Sequence, residues 1–491
     1  MAAIFDGFGE PIETLGPLGR GGVSRRRFLG TAAGLGAAAF AGSAFAARKI
    51  APSDKVNIAV IGCGGQGASN MSKLTGQNIV ATADADYDHV LAALTDSKTG
   101  KINKPELKAA YDKAERFTDY RKMLDSRKDI DAVLIATPDH HHAPAARRAM
   151  ERGYHVFVQK PLTYTIEESR KLAEMAKANP NLVTQMGNQG HSGDDGRRVI
   201  ELIRGGAIGK VSEVHVWTNR PVWPQGVPRP AAVPTPASLD WQVWLGPADI
   251  DWGYNPDYAH FNWRGWTPFG SGALGDMGAH LVDFPFWALD PGLPTKVETR
   301  HSRWAGNKSL WDTKRPPEIT SYPLAGISRY EFGNGKNAWI KPGAPLRMTW
   351  YDGGLLPPTP PGFPDSMSMS GDGGVLFIGE HGMLMHETYG EKPVLIGAGT
   401  DARAKKIPVS LPRIQGGIGG HENNWIRAIR GEEKISCPFE YATRLNETMN
   451  LGVVALQNDH YIQYDAVKME VTNTPDANKY LRRKYRAGWE L

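Results

Sequence analysis

Apolar runs and helical segments alternate along residues 52–187. The pattern predicts strands at 56–61, 79–83, 131–137, 155–158 and 182–186, the last of them the sixth strand of the sheet. It predicts helices at 144–152 and 165–179, and Thr165 and Glu168 form a capping box that opens the second helix. Alternating strands and helices are typical of a doubly wound parallel sheet, so we expect an α/β domain over 52–187.

The pattern changes after residue 187. Gly-flanked strands are predicted at 211–218, 346–351, 374–379 and 383–387, and helices at 197–204, 423–430 and 441–457. Residues 219–270 are dense in Pro and Trp and predict a long ordered excursion, while Gly/Pro-rich loops at 352–373 and 396–420 are expected at the mouth of a site. We expect an α+β domain with a large open, mostly antiparallel sheet over 188–437. C-terminal helices and a tail over 438–491 are expected to pack back on the body.

The strand at 56–61 leads into a glycine-rich turn. Gly62, Gly64 and Gly67 have G-x-G-x-x-G spacing, a helix-compatible segment follows, and the next strand ends on Asp84. Glycines permit a tight turn and a close approach of the backbone to a diphosphate, and the acid is placed to accept ribose hydroxyls. A glycine turn in another α/β unit is the alternative. The order of strand, helix, strand and acid nevertheless predicts a site for NAD or NADP.

Composition narrows the class of protein. The chain has 491 residues, of which 41% are apolar, and a formal net charge of +5. That charge is small for this length and no basic run occurs outside the N-terminus, so nucleic acid is not implied as a partner. With only Cys63 and Cys437, the chain has neither a disulfide framework nor a Cys-based zinc site.

The N-terminus has the pattern of an export signal. A twin-arginine motif at 24–29 precedes a weakly apolar, Ala/Gly-rich run at 31–45 and an A-x-A cleavage site at 44–46. We expect residues 1–46 to be a twin-arginine signal that sends the chain to the periplasm through the twin-arginine export machinery. An uncleaved membrane anchor is the alternative. Because the periplasm has no free nicotinamide pool, an enzyme there should hold its cofactor tightly and restore its redox state in each cycle.

Three residues are candidates for catalysis. Lys160 follows the strand at 155–158, so its ammonium group is expected in the crevice at the carboxyl ends of the strands, where it could favour an alkoxide. Asp276 and His280 have i,i+4 spacing on a helix predicted to begin near Asp276, which lets the carboxylate orient the imidazole and raise its basicity. For Lys160 the alternative is an ordinary solvated lysine. For the other two residues the alternatives are an Asp276 that caps the helix with His280 in the core, or a metal-binding pair, for which no third ligand is visible.

Further polar and aromatic residues are predicted near the site. His140, His141 and His142 are expected in a loop between a strand and a helix near the cofactor, with His142 capping the helix, because consecutive residues cannot all face one metal ion. Asn188, Gln189 and His191 follow the sixth strand and are predicted to line a substrate pocket, or else to be turn residues. Tryptophans 241, 244, 263 and 266 offer flat surfaces for sugar rings, and we expect one or two of them, Trp263 first, to touch a ligand.

These motifs together resemble the glucose–fructose oxidoreductase/inositol dehydrogenase/MocA (Gfo/Idh/MocA) family, and most of all its exported twin-arginine bacterial branch. The segments ATPDHHHA, QMGNQGHS, LDWQVWLGPA, NWRGW, GALGDMGAHLVD and RRKYRAGWEL carry the resemblance, which extends from about residue 55 to 491. It implies a Rossmann domain, a substrate domain built on an open sheet, tightly bound NAD(P), and often a homo-oligomer. From the spacing of the candidate ligands we expect no bound metal. The residues expected to bind the cofactor are Gly62, Gly64, Gly65, Gln66, Gly67, Asp84, Thr137, Pro138, His142, Gln159 and Lys160.

The sequence departs from the family at one position and favours one cofactor. Gln159 replaces the usual Glu before Lys-Pro, which puts a hydrogen bond on the cofactor side in doubt. Asp84 has no adjacent basic residue, and a 2′-phosphate would meet its like charge. We therefore expect NAD, with NADP as the alternative.

The resemblance implies a reaction and leaves competing ones open. In it, His280 removes a proton from a ring hydroxyl of a sugar, glycoside or polyol, Lys160 holds the oxygen, Asp276 orients substrate and imidazole, and hydride passes to the nicotinamide. The alternative is an NAD-dependent, redox-neutral glycosidase or lyase that works through a transient keto-sugar and needs no outside cofactor pool. A sugar-binding protein without turnover is the third hypothesis, against which the three catalytic candidates argue.

Overall fold

The computed structural model describes residues 50–95, 99, 102, 104–304, 315–316, 318–333 and 337–491. The predicted signal at 1–46 lies outside these residues. Every element named below belongs to one compact unit, residues 44–491. Of the helices in the described ranges, none combines the length and the apolar character that crossing a membrane requires.

The first part of the chain alternates strands with helices, as the hydrophobic pattern predicts. Its elements are β1 (Asn57–Ile61), α1 (Gly65–Ser72), β2 (Asn78–Ala83), α2 (Tyr87–Leu94), α3 (Pro105–Lys113), β3 (Glu115–Phe117), α4 (Tyr120–Ser126), β4 (Ala132–Ile135), α5 (Asp139–Met150), β5 (His155–Gln159), α6 (Ile166–Ala178) and β6 (Thr184–Gly187). The strands form a six-stranded sheet in the order β3-β2-β1-β4-β5-β6, with every pair parallel. The predicted doubly wound parallel sheet is confirmed, and the capping box of Thr165 and Glu168 is present.

Helix α5 begins five residues before the predicted start. The prediction placed Pro144 near the N-terminus, where a missing N–H costs little, but Pro144 lies inside the helix. Its missing N–H would leave the carbonyl of His140 without a partner. Arg483 Nη2 donates to that carbonyl at 2.6 Å instead, so the C-terminal tail completes the first turn of α5.

The second part of the chain combines helices with a larger sheet. Its elements are α7 (Asp194–Arg204), β7 (Val211–Thr218), α8 (Trp241–Leu245), α9 (Gly272–Leu281), α10 (Asp283–Leu289), β8 (Pro294–His301), β9 (Gly326–Phe332), β10 (Leu346–Tyr351), β11 (Gly373–Gly379), β12 (Gly382–His386), β13 (Val394–Ile396), α11 (Thr400–Ala404), α12 (His421–Ile429), α13 (Phe439–Asn458), β14 (Ile462–Asp465) and β15 (Glu470–Val471). The nine strands are ordered β13-β12-β11-β7-β10-β9-β8-β14-β15.

The second sheet is mostly antiparallel, as predicted. Within the described part of the chain, β7 and β10 are its one parallel pair. Val214 and Val216 of β7 face the core shared with α9, α10 and α13, whereas Trp217 faces the opposite side. The sequence pattern missed β8 and β9, which carry charged residues on their outer positions.

The loop at 352–373 does not lie where it was predicted. Its residues Phe363, Met367 and Met369 pack against Trp217 on the outer face of the second sheet, and Trp217 Nε1 donates to Ser370 O at 2.7 Å. Its apolar side chains make burial against the sheet favourable, which its Gly/Pro-rich composition did not indicate. Neither this loop nor the one at 396–420 lines the cavity described next.

Candidate active site

A cavity of about 350 Å³ lies at the carboxyl ends of β1, β2, β4 and β5. This is the edge of a parallel sheet where ligands bind in doubly wound folds. The opposite wall comes from the Trp-rich excursion at 219–270. The residues around the cavity are Ile61, Gly62, Gly64, Gly65, Gln66, Ala83, Asp84, Ala85, His89, Thr118, Tyr120, Ala136, Thr137, Pro138, His141, Gln159, Lys160, Val243, Trp244, His260, Phe261, Trp263 and Arg264.

One end of the cavity is the glycine turn. Asp84 Oδ2 accepts from Cys63 N at 2.7 Å and Oδ1 accepts from Asp86 N at 3.0 Å, so the carboxylate is fixed by backbone N–H groups beside the turn. Burial raises the pKa of Asp84, while these N–H groups act in the opposite direction. Of the predicted turn residues, Gly67 does not line the cavity. A Cβ there would stand 1.9 Å from Gly62 O, so this glycine lets α1 pack against the turn.

The middle of the cavity is formed by the loop after β4. Thr137 and Pro138 line it, as predicted, but His142 does not. His142 Nδ1 lies 2.7 Å from Pro161 O and its Nε2 lies 2.9 Å from Thr137 O, so the ring lies between the loops after β4 and β5 and, when neutral, donates to one of these two carbonyls. Burial lowers the pKa of His142 to about 4, and the imidazole is neutral at neutral pH.

The three consecutive histidines belong to the first turn of α5, not to the loop that was predicted. All three are buried, and the ring nitrogens of His140 and His141 approach the backbone carbonyl of Trp244 at 3.2 and 2.8 Å. Carbonyl partners make them structural links between α5 and α8. In the described ranges, no group of three or more His, Cys, Asp or Glu side chains is arranged to hold a metal ion.

A cluster of three charged side chains lies at the other end of the cavity. Lys160 comes from the first domain, and Arg264 and Asp276 come from the second. Lys160 Nζ donates to Asp276 Oδ1 at 2.8 Å and to Asp276 O at 2.7 Å, and Arg264 Nε donates to the same Oδ1 at 2.9 Å. Burial alone would raise the pKa of Asp276, but the charges of Lys160 and Arg264 hold it well below its usual value. Asp276 is therefore ionised, and its Oδ1 accepts hydrogen bonds from both cations.

Arg264 was missed by the sequence reasoning. Its guanidinium lies 4.2 Å from the ring centroid of Trp263 and 4.9 Å from that of Phe261, which positions it for Asp276. The signal was present in the segment NWRGW, in which this arginine lies between Trp263 and Trp266.

His280 has a different partner from the predicted one. Its Nδ1 lies 3.1 Å from Asn188 Oδ1, whereas the carboxylate of Asp276 is turned to the two cations. Burial and the charge of Lys160 together lower the pKa of His280 to about 3, and the Asp276 carboxylate, which raises this pKa as predicted, does not offset them. Two buried cations attract the carboxylate more strongly than a neutral imidazole one helical turn away. Asp276 and His280 are not among the residues lining the cavity, and Asp276 reaches it through Lys160 and Arg264.

The three residues predicted to line a substrate pocket after the sixth strand make different contacts. Asn188 holds His280, and Gln189 belongs to the short 3-10 turn Gln189–Ser192. His191 pairs with Asp283 at 2.9 Å and stacks on Trp287 at 3.7 Å between ring centroids. That contact belongs to the packing of α10, and none of Asn188, Gln189 and His191 is among the residues that line the cavity.

Gln159 faces the helix behind the glycine turn. Its Nε2 donates to Asn70 Oδ1 at 3.0 Å, and Asn70 Nδ2 donates in turn to Glu422 Oε1 at 2.6 Å. A Glu at position 159 would set a carboxylate oxygen against the Asn70 carbonyl oxygen. The amide at this position therefore fits the network with Glu422.

Asp139 is a second buried carboxyl group that sequence reasoning missed. It opens α5, and its Oδ2 accepts from Ser271 N at 3.1 Å ahead of α9. Burial raises the pKa of Asp139 to about 7, against the opposing charges of Arg264 and Lys160. It links α5 to the helix that carries Asp276 and His280.

Two of the four tryptophans singled out in the excursion line the cavity. All four belong to an apolar cluster within the excursion, and of these Trp244 and Trp263 also face the cavity. His89 and His260, which no sequence motif pointed to, also line the cavity.

The chain matches family models over two segments. Residues 56–186 match the Gfo/Idh/MocA model described as oxidoreductase family, NAD-binding Rossmann fold, and residues 205–305 match the model of its C-terminal alpha/beta domain. Curated relatives include a glycosyl hydrolase family 109 protein of Shewanella pealeana, 32% identical over 161 residues, and one of Shewanella baltica, 34% identical over 166 residues. These matches cover 32% and 33% of this chain, and 34% and 35% of the relatives. The chain thus matches about a third of the length of the curated relatives.

Solved structures share the fold at low sequence identity. The WlbA dehydrogenase from Bordetella pertussis, in complex with NADH and UDP-GlcNAcA, superimposes with a TM-score of 0.56 at 14% identity, covering 85% of this chain and 99% of that one. GenD2 from gentamicin A biosynthesis, in complex with NAD, gives 0.52 at 16% identity, covering 85% and 99%. Both likenesses concern the architecture of the two sheets and their order along the chain.

Proposed function

The chain belongs to the Gfo/Idh/MocA oxidoreductase family, and on that premise we propose that it is an NAD-dependent enzyme that oxidises a ring hydroxyl of a sugar, glycoside or polyol. One observation carries the proposal. Lys160 Nζ at the end of β5 and Asp276 Oδ1 on α9 meet at 2.8 Å, at one end of a cavity whose other end is the glycine turn. Residues far apart in the chain thus converge where a reacting carbon would face a nicotinamide.

The residues of the cavity fit NAD as the cofactor. The N-terminus of α1, which begins at Gly65 in this turn, offers backbone N–H groups to a diphosphate, and the Asp84 carboxylate is positioned for ribose hydroxyls. Lys160 and Arg264 are the lysine and arginine among the lining residues, and both bind Asp276, so no such cation stands beside Asp84 for a 2′-phosphate. When bound, the nicotinamide supplies the acceptor for a hydride.

The side chains of this protein divide the remaining work. The Lys160 ammonium donates to the reacting hydroxyl oxygen and lowers the free energy of the alkoxide, while Asp276 holds the ammonium in place and Arg264 holds Asp276. Because His280 Nδ1 is directed at the Asn188 carbonyl oxygen, the unprotonated nitrogen of its neutral ring is Nε2, which can accept the hydroxyl proton. The low pKa of His280 keeps this ring neutral over the whole physiological range.

A second candidate function is redox-neutral cleavage of a glycoside through a transient keto-sugar. The names of the curated relatives favour it, because they are glycosyl hydrolases. This cycle returns the cofactor to its starting state within each turnover. It would use the same Lys160 and His280 for the transient oxidation.

The two functions separate in one experiment. The purified protein is incubated with a panel of aryl glycosides, and keto-sugar, reduced nucleotide and released aglycone are measured together. Net oxidation predicts keto-sugar with an equal amount of reduced nucleotide and no aglycone. Aglycone release without net redox change identifies the cleavage reaction. Binding of sugar with no change in the nicotinamide spectrum would contradict both.

We also propose export through the twin-arginine pathway to the periplasm. The support is the motif at 24–29 with the cleavage site at 44–46. Replacing Arg25 and Arg26 by Lys should keep the chain in the cytoplasm, and N-terminal sequencing of the exported wild type should begin after residue 46. An intact N-terminus in the membrane fraction would identify an anchor instead.

Self-association stays a prediction from the family resemblance. Sedimentation velocity of the purified mature chain measures it, with a dimer or tetramer as the expected species.

A further inference from the structure

We propose that His89 and His260 are dinucleotide-binding residues, whose stacked imidazoles close over the glycine turn, hold the diphosphate and slow its release. This inference rests on the proposed function, since it concerns the cofactor of that reaction. The second histidine comes from the excursion, in a segment at 239–266 that we call the Trp-rich wall. Neither residue belongs to the glycine motif.

The two imidazoles lie directly on the turn. Their ring centroids are 3.9 Å apart with an angle of 10° between the planes. A Cβ at Gly64 would stand 2.6 Å from His89 Cδ2, so the ring is in contact with the turn's backbone. Both rings also line the cavity. An imidazole can donate a hydrogen bond to a phosphate oxygen, and a proton on it is favoured by that negative charge.

Asp86 fixes this pair in position. His260 Nε2 lies 3.0 Å from Asp86 Oδ2. The other carboxylate oxygen of Asp86 caps α2, accepting from Asp88 N at 3.1 Å and from His89 N at 3.3 Å. One carboxylate therefore sets the start of the helix that carries His89 and the orientation of His260.

The Trp-rich wall is held together by ring packing and hydrogen bonds, so His260 is not on a free loop. Trp241 and Trp244 stack with centroids 4.6 Å apart, and Trp241 Nε1 donates to Trp252 O at 2.8 Å. Trp266 Nε1 donates to Asp257 O at 2.6 Å. Packed aromatic rings and satisfied indole N–H groups give the wall its own small core.

The wall is attached to the first domain on both sides of the cavity. Asp240 N donates to Ala85 O at 2.9 Å, beside the loop after β2. Trp244 O lies 2.8 Å from His141 Nε2, in the first turn of α5. A dinucleotide lying along the strand ends would therefore have protein on both sides. Its release requires the contact of His260 with Asp86 to open, or the whole wall to move.

The wall also reaches the reaction end. Arg264, four residues after His260, donates to Asp276 Oδ1 at 2.9 Å. One short segment thus spans the phosphate end and the catalytic end of the cavity. Occupation of the diphosphate position is expected to fix the segment that positions Lys160 and Asp276.

Release of bound nucleotide tests the proposal without any turnover. The protein is loaded with NAD⁺, chased with an excess of isotopically labelled NAD⁺, and the release rate is read by mass spectrometry. His260→Ala should release NAD⁺ about tenfold faster, equivalent to about 1.4 kcal/mol. His301→Ala is the matched control, because His301 Nε2 makes the same kind of contact, 3.0 Å to Asp459 Oδ1, on β8. Its release rate should equal that of the wild type.

A second probe locates the contact. ADP-ribose contains the diphosphate but no nicotinamide, so His89→Ala and His260→Ala should weaken ADP-ribose and NAD⁺ by the same factor. If only NAD⁺ is weakened, the histidines do not hold the diphosphate. His260→Gln, which keeps an N–H donor for Asp86, should restore most of the slow release and guards against a misfolded Ala variant.

The outcomes separate this inference from the proposed function. Wild type that binds NAD⁺, with unchanged release in His260→Ala and His89→Ala, overturns the role of the histidines and leaves the oxidoreductase intact. Wild type that binds neither NAD⁺ nor ADP-ribose overturns the proposed function, and this inference with it.

Discussion

The two ends of the cavity are built from different parts of the polypeptide. At the phosphate end, the backbone between residues 62 and 66 lines the ligand site, and Asp84 is held by the N–H groups of Cys63 and Asp86. At the reaction end, the chemistry belongs to side chains of Lys160, Arg264 and Asp276, which come from three separate elements. The first end is local in sequence and the second is assembled by the fold.

This difference decides which changes each end tolerates. A site built from backbone groups depends on how closely the ligand and the neighbouring helix can approach the backbone. Added volume at a glycine therefore disturbs it, whereas most other substitutions leave it unchanged. A side-chain site depends on charge and hydrogen-bond direction, so it is sensitive to replacements that keep the volume. Substitutions at the two ends should therefore differ in the size and in the kind of their effects.

The largest effect is expected at the reaction end. Lys160→Met keeps the side-chain length and removes the donor, and turnover should fall by about a thousandfold because one transition-state donor is lost. Bound nucleotide, measured by absorbance and mass spectrometry, should remain. Lys108→Met is the control, since Lys108 pairs with Asp112 on α3 at 2.6 Å and is remote from the cavity. Turnover within threefold of wild type in Lys160→Met would remove this lysine from the mechanism.

At the phosphate end, two glycines should respond differently to the same methyl group. Gly67→Ala places a Cβ 1.9 Å from Gly62 O, so the turn must shift, and we expect a loss of about 2 kcal/mol in stability together with weakened NAD⁺ binding. Gly65→Ala meets no atom within 4 Å but has φ +45°, and should cost only about 1 kcal/mol. Denaturant unfolding and NAD⁺ titration measure both. Equal losses of stability in the two variants would show that the contact between residue 67 and Gly62 O does not distinguish the two positions.

Protonation should destabilise the folded protein below neutral pH. Burial lowers the pKa of a set of histidines, among them His141, His142, His280, His386 and His421. A group with a lowered folded pKa contributes stability above its unfolded value, here about 6.5, and that stability is lost as pH falls toward the folded value. One histidine with a folded pKa of about 3, such as His280, should lose about 2 kcal/mol between pH 7 and pH 5.

Calorimetry at pH 7, 6 and 5 measures this dependence. Asp139 and Asp352 act in the opposite direction, because burial raises the pKa of each to about 7 and their contribution is lost as pH rises. The histidines outnumber them, so the melting temperature should fall with pH. His280→Gln should show a shallower decrease than wild type. A melting temperature that rises from pH 7 to pH 5 would contradict the assignment of neutral buried histidines.

The smallest effect is expected for Gln159→Glu, which restores the residue usual in the family. The new carboxylate opposes Asn70 Oδ1 and lies in a network that already contains Glu422, so stability should fall by about 1 kcal/mol. Turnover should stay within a few-fold, since Gln159 makes no contact with the Lys160 ammonium group. Double replacement with Glu422→Gln should recover the loss, and an unchanged double variant would show that the two positions do not interact.

Much of the fold followed from the hydrophobic pattern. Buried parallel strands are continuous apolar runs, so β1, β2, β4, β5 and β6 were predicted within a few residues of their ends. The start of α5 was not predicted because Pro144 leaves the carbonyl of His140 without its helical N–H donor. The donor that replaces it belongs to Arg483, more than three hundred residues later in the chain. The strands β8 and β9 were missed because their exposed positions carry charge and weaken the apolar signal.

The sequence by itself determined the backbone half of the site and the candidates for the other half. The glycine spacing and Asp84 lie within one strand–helix–strand unit, whose geometry is local, and Lys160, Asp276 and His280 were identified by residue type and position. Only the tertiary structure decided how these side chains pair. Helical spacing brings Asp276 within reach of His280, yet the fold places two cations on its carboxylate and gives the imidazole to Asn188. In a buried site a carboxylate is stabilised most by nearby positive charge, and which charges lie nearby depends on segments that no local pattern connects.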